Sequence, residues 1–189
     1  LRAHGWSRDR DDHKKILTKN SHIDPRFVFV NYGFNVRPLE IQAAIANQQL
    51  KKVNFFKKNR NYNRSQIIKL FRKHKKNNDK LIFINDAKNV ECNWFGIPIL
   101  LAKKLKRSKK KIIKMIEKKG IETRPIISGN ILNQPAINLF KLNKKKTILK
   151  NCQDVEDRGF FIGINSLKTD SRMLKFVANS LNKVLDKFK

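Results

Sequence analysis

With 189 residues and 40% apolar content, the chain can bury one good core, which argues against wholesale disorder. Lysine and arginine outnumber aspartate and glutamate by 44 to 15, a formal charge of +29. The longest apolar run, Trp94 to Ala102, is too short to span a bilayer, and Cys92 and Cys152 have neither disulfide-framework nor metal-ligand spacing. They read as reduced thiols of a cytosolic protein.

The chain opens on Leu1 and reads as a fragment of something longer. After Leu1-Arg2-Ala3-His4-Gly5-Trp6 comes the polar run Arg8 to Asp12, an expected exposed loop. Phe27 to Val30 is β-like. Gly33 to Arg37 is a turn feeding a helix, with Pro38 at the first helical position, where its missing N–H costs nothing. Ile41, Ile45, Leu50 and Val53 roughly keep the helical period among Ala43, Ala44 and Ala46. The pattern resumes at Ile67, Leu70 and Phe71, so one long helix, bent near residues 54–63, is expected to reach His74.

Leu81 to Ile84 and Trp94 to Leu101 read as strands, the second apolar on both faces. Ser108 is placed to cap a helix that turns Ile112, Ile113, Met115 and Ile116 inward and stops at Gly120. Ile121 to Arg124 is a third strand, and Pro135 to Phe140 a short helix. Lys144 to Lys146 is a solvated charge run, residues 151–158 are helix-like, and Phe160 to Ile164 is a fourth strand. Thr169 or Asp170 caps a last helix with Met173, Phe176, Val177, Leu181, Val184, Leu185 and Phe188 on one stripe. The expected class is α/β, a small sheet with packed helices and one long helix. No linker rich in Gly, Pro or Ser divides the chain, and nothing repeats at a fixed period.

Two stretches carry chemistry. Gly120 to Gln134 sets Arg124, Ser128, Asn130 and Gln134 around an apolar pair and a Ser-Gly-Asn turn. A guanidinium suits carboxylates and phosphates, and Gly129 allows a close backbone approach. The plain alternative is a polar connection between a strand and a helix. Gly33 to Pro38 puts Asn35 and Arg37 just ahead of a helix start, an arrangement suited to an anion; capping of the helix by Asn35 is the alternative.

Six segments in order resemble the C-terminal half of the DegT/DnrJ/StrS-type sugar aminotransferases. They are Leu1 to Trp6, Gly33 to Ile45, Gln49 to Lys52, Trp94 to Gly96, Gly120 to Asn130 and Gly159 to Gly163. Arg2-Ala3-His4-Gly5-Trp6, Asn35 to Glu40 and Arg124-Pro125-Ile126 with Gly129-Asn130 are most similar to the family's 3-dehydratase branch. That branch tends to carry Asn-His after the last segment, where this chain has Ile164-Asn165-Ser166.

The resemblance implies a fold-type-I enzyme dependent on pyridoxal or pyridoxamine phosphate, with residues 1–189 its C-terminal portion and the cofactor domain upstream. It implies a nucleotide-linked keto-sugar as substrate, L-glutamate as amino donor, a homodimer, and cytoplasmic work in lipopolysaccharide, O-antigen or other surface polysaccharide synthesis. An upstream lysine would mean transamination and an upstream histidine 3-dehydration; this portion alone should be inactive. Asn35 and Arg37 match the turn that reaches the partner subunit's cofactor phosphate. Arg124, Ser128 and Asn130 match the substrate-pocket segment, and His4 is the candidate catalytic histidine. Trp94 is expected in the core.

The charge is read first as drift in a lysine-, asparagine- and isoleucine-rich composition, because the lysines are spread along the chain. The alternatives are attraction of an anionic substrate and a basic nucleic-acid-binding module; no specific nucleic-acid motif or membrane partner is expected. A family member that has lost catalysis is the remaining alternative.

Overall fold

A computed structural model of the chain describes residues 4–21, 23–25, 28–36, 38–127, 129–134 and 149–188. Arg37, Ser128, the 135–140 helix and the 144–146 charge run fall outside these. The chain forms two compact units, Leu1–Lys52 and Val53–Lys189.

In the first unit, among the described residues, the β-like segment at Phe29 makes an isolated antiparallel bridge to Trp6. Backbone bonds from Val30 N–H to Gly5 O and from Ser7 N–H to Val28 O, both 3.0 Å, extend the pairing. Gly5 has φ +81°, and a side chain there would run into the Asn31 carbonyl, so glycine is required for the two segments to meet. Helix α1 spans His13–Lys19, and α2 spans Glu40–Leu50.

The second unit opens with α3, Val53–Arg72. The expected long helix is therefore two, with the break at residues 51–52; nothing in the residue types there forces it. The asparagine-rich stretch expected to bend lies within the uninterrupted helix α3. Asn63 is buried and spends its amide on the chain before the last helix: Nδ2 donates to Asn165 O (3.1 Å) and Leu167 O (2.7 Å), and Oδ1 accepts from Thr169 N–H (3.0 Å).

Strands β1 (Leu81–Phe83), β2 (Gly96–Leu101), β3 (Thr123–Arg124) and β4 (Gly159–Gly163) form one antiparallel sheet in the order β1-β2-β4-β3. Register decides which side is core, because directly paired residues share a face. Leu81 faces Leu101, Phe83 and Phe160 both flank Ile99, and Ile97 faces Ile162. All of these are buried. Helices α4 (Lys109–Glu117) and α6 (Ser171–Leu185) close this face together with α3, through Ile112 and Ile116, Leu174 and Leu181, and Ile67 and Phe71. Helix α5 (Lys150–Arg158) leads directly into β4.

Two expectations change. Strand β2 is fully buried on one face only: Pro98 and Leu100, on the other, are half-buried. On α6 the buried stripe runs Leu174, Ala178, Leu181, Leu185, while Met173 and Phe176 stand exposed at its flank. Asp170 is the N-cap, accepting from Arg172 N–H, and Gly120, at φ +80°, ends the turn after α4 as expected.

The C-terminal ends of α3 and α6 are tied by a polar knot. Lys80, 5% exposed, donates its ammonium to Leu185 O (3.0 Å) and Phe188 O (2.5 Å). A cation at the carbonyl end of a helix is favoured by the dipole. Asn182 Nδ2 donates to Phe71 O (3.1 Å), and Asn77 Nδ2 to Asn182 Oδ1 (3.1 Å) and Asp186 Oδ1 (3.0 Å).

Four carboxyls of this unit are held below the ordinary carboxylate range. A hydrogen bond from Asn77 lowers Asp186, one from Arg158 lowers Asp154, one from Lys106 lowers Asp157, and one from Lys104 lowers Asp79. Groups depressed in the folded state stabilise it above their unfolded pKa and cease to do so as pH falls through the folded one. The urea midpoint should therefore be insensitive to these groups near pH 6 and fall below about pH 4. An unchanged midpoint at pH 3 would show that these bonds contribute nothing.

Candidate functional site

In the first unit, the Gly33–Pro38 turn is held at its middle by a bond from His4 N–H to Phe34 O (3.0 Å). His4 itself has a positive φ of 56°, and its ring lies 5.5 Å from Trp6. Trp6 also carries the Arg8 guanidinium, 4.4 Å from its ring centroid, and lies 5.7 Å from Phe29. Asn35 is exposed. The structure thus brings His4 and Asn35 into one neighbourhood, which the 30 residues between them do not reveal.

Asn35 does not cap α2: the N-cap is Leu39, which has no side-chain acceptor. Gln42 Oε1 instead accepts from Leu39 N–H (3.0 Å) and fixes the entry of the chain. Gln42 N–H donates to Leu39 O (3.0 Å), whereas the N–H groups of Glu40 and Ile41, ahead of it, have no side-chain cap among the described residues and can serve as donors for an anion.

In the second unit, Arg124 ends the edge strand β3, opposite Phe161 of β4. It is exposed, and its Nε and Nη2 both reach Glu122 Oε1, at 3.0 and 2.9 Å. An exposed pair of this kind exchanges readily for a ligand anion, because it is worth little in water. Arg124 lines a groove of about 270 Å³ with Gly120, Phe161, Met173 and Phe176.

Asn130 is placed differently. It is 7% exposed, and its side chain is spent within the chain: Oδ1 accepts from Leu132 N–H (3.1 Å) and Nδ2 donates to Gln153 Oε1 (3.0 Å). Its own N–H donates to Glu156 Oε2 (2.8 Å), and Asn133 Nδ2 bonds both Gln153 and Glu156. The Gly129–Asn133 turn is thereby clamped onto α5. Asn130 lines a separate cavity of about 710 Å³ with Lys103, Asn133, Lys150, Gln153 and Asp157. Arg124 and Asn130 therefore sit six residues apart in one segment yet border different hollows. Gln153 and Glu156, which do the clamping, carry no sequence signal, because polar residues on a helix are ordinarily solvated.

Beside the clamp, Lys109 donates to Glu156 O (2.6 Å), and burial pushes its pKa down against the pull of Asp157 and Glu156. Trp94 is half-buried under the Arg64 guanidinium, 4.6 Å from its ring centroid. Among the described residues, no group of three or more His, Cys, Asp or Glu side chains could hold a metal, and no helix is long and apolar enough to cross a membrane.

The family model for the DegT/DnrJ/EryC1/StrS aminotransferases matches residues 1–181. The chain belongs to that family. Among its relatives is the GDP-4-keto-6-deoxy-D-mannose 3-dehydratase of Yersinia pseudotuberculosis, 32% identical over 187 residues, covering 97% of this chain and 45% of the relative. The E. coli GDP-4-keto-6-deoxy-D-mannose-3-dehydratase, solved with bound hydrated PLP, superposes with a TM-score of 0.70 at 26% identity, over 96% of this chain and 45% of that one. A GDP-4-keto-6-deoxymannose-3-dehydratase solved with a trapped PLP-glutamate geminal diamine gives 0.66 at 26% identity, over 96% and 46%. The chain spans about half the length of the relatives it matches. The α/β class expected from the sequence is the one observed, a small antiparallel sheet with helices packed on it.

Proposed function

We propose that the chain is the C-terminal portion, residues 1–189, of a pyridoxal- or pyridoxamine-phosphate-dependent enzyme acting on a nucleotide-linked keto-sugar. The reaction is 3-dehydration of a 4-keto-6-deoxyhexose or glutamate-dependent transamination, in the cytoplasm, toward surface polysaccharide. A residue beneath the cofactor ring, outside this chain, chooses between the two. The observation that carries the proposal is the Asn35 turn, placed ahead of the uncapped N-terminus of α2 in a chain of this family.

That turn fits the phosphate half of the cofactor. An exposed amide, the Arg37 guanidinium and the N–H groups of Glu40 and Ile41 are the donor set a phosphate needs. Pyridoxal phosphate, when bound, supplies the electron sink for either reaction. The chain's own residues bind and orient: Asn35 and Arg37 at the partner subunit's cofactor phosphate, His4 near Asn35, Arg124 and Ser128 at the substrate. Asn130 positions the segment that carries the other two. A homodimer follows from this division, and α2 offers it a surface, since none of its residues is buried and Leu39, Ile41 and Ile45 are exposed.

The test uses the full-length protein. Incubation with pyridoxal phosphate should give visible absorbance and raise the melting temperature, and Asn35→Ala should weaken cofactor affinity by roughly tenfold or more, the size of a lost hydrogen bond to a charged group. Sizing at micromolar concentration should show a dimer. Protein that stays colourless and gains no stability from the cofactor would sink the proposal.

A further inference from the structure

The segments Trp94-Phe95-Gly96 and Gly159 to Gly163 mark the family, but the function above gives them no work. Their register does. Gly96, Pro98 and Leu100 alternate onto the sheet face away from the core, and Phe161, paired with Pro98, shares that face. The Phe161 ring takes the space a side chain at 96 would need: a Cβ there would lie 2.7 Å from Phe161 Cδ2. The glycine therefore lets the ring lie down across β2. Phe95 then meets Phe161 edge-on, with centroids 5.4 Å apart and planes at 73°. Phe95 is nonetheless 65% exposed, an aromatic face turned to solvent. On the other side of Phe161 in the register stands Arg124.

The geometry points to a nucleotide subsite in which Phe95 and Phe161 form an aromatic corner for the base and Arg124 holds the diphosphate. This rests on the nucleotide-sugar reading above and names the residues that would take the nucleotide end. The exposed Phe95 ring rests on Phe161, and Phe161 has the Arg124 guanidinium opposite it on the next strand, an order that matches a planar base joined to a polyanion. Stacking on an aromatic side chain accepts any base, and the guanidinium forks to phosphate oxygens. The buried inner face of the same sheet offers nothing comparable.

The experiment titrates full-length protein with GDP, dTDP and inorganic pyrophosphate, following the emission of tryptophan, of which Trp94 adjoins Phe95. Phe95→Ala should weaken nucleotide binding about tenfold and leave pyrophosphate unchanged, and Phe95→Trp should restore it. Arg124→Gln should weaken nucleotide and pyrophosphate alike. Phe95→Ala that binds both nucleotides as the wild type does would overturn the subsite. So would Phe95→Ala that loses thermal stability at unchanged affinity, which would make the corner a packing surface. Wild-type protein that takes up pyridoxal phosphate but binds neither nucleotide would overturn the subsite alone. Failure of both would overturn the proposed function with it.

Discussion

Replacing Phe160 by alanine is expected to destabilise the protein by about 3–5 kcal/mol, the range for deleting a buried aromatic ring from a core. The ring is fully buried and sits opposite Ile99 at the centre of the sheet. Its strand has β2 on one side and β3 on the other, so the backbone cannot close on the void. Helices α4 and α6 roof the same layer through side chains that are themselves fully buried, such as Ile112 and Leu181. Against a usual domain stability of about 5–15 kcal/mol, the loss is a large part of the whole. Ile82→Ala, on the half-open outer face of β1, is the control and should cost well under half as much, since Ile82 is exposed. Urea unfolding with an unchanged slope would read both. Equal costs would mean that the two sheet faces are not distinguished as the register says.

The strands themselves were legible in the sequence as short apolar runs, although which of their faces lies inward was not. Leu81 to Ile84, Trp94 to Leu101 and Phe160 to Ile164 announce strands by composition, and Asp170 and Gly120 announce helix ends by chemistry that acts within a few residues. What was not legible depends on distance along the chain. The sequence could not say that Asn63 would be buried, since its three bonds go to residues 102 to 106 positions away. The same holds for Lys80, one of many lysines, which reaches Leu185 O and Phe188 O. The apolar residues of α6 were read as one stripe, although Met173 and Phe176 lie outside the arc that Leu174 and Ala178 define. At the site, Arg124 and Asn130 were legible as polar residues in an odd place. Their division of labour was not, because it is set by which side chains of α5 and β4 stand opposite them.

Gly129→Ala is expected to cost about 2–5 kcal/mol, from two separable terms. Gly129 has φ +66°, and holding a non-glycine residue in that region costs about 1–2 kcal/mol. The second term is steric: a Cβ there would lie 2.4 Å from Glu156 Cβ and 2.7 Å from Glu156 Cα. Those atoms belong to the framework of α5, not to the far end of a flexible side chain, so helix or turn must move, at about 1–3 kcal/mol for overpacking. Gly120→Ala isolates the first term, since Gly120 shares the positive φ but a Cβ there meets nothing within 4 Å. The difference between the two variants is then the clash. It should come with a local signature, because moving the turn breaks the bonds from Asn130 to Glu156 and Gln153. Amide exchange at Asn130 and Leu132 should quicken in Gly129→Ala and stay slow in Gly120→Ala. If the two alanine variants cost the same and exchange alike, Gly129 serves only the backbone angle. The segment that runs from Arg124 to Asn130 would then owe its position to something other than α5.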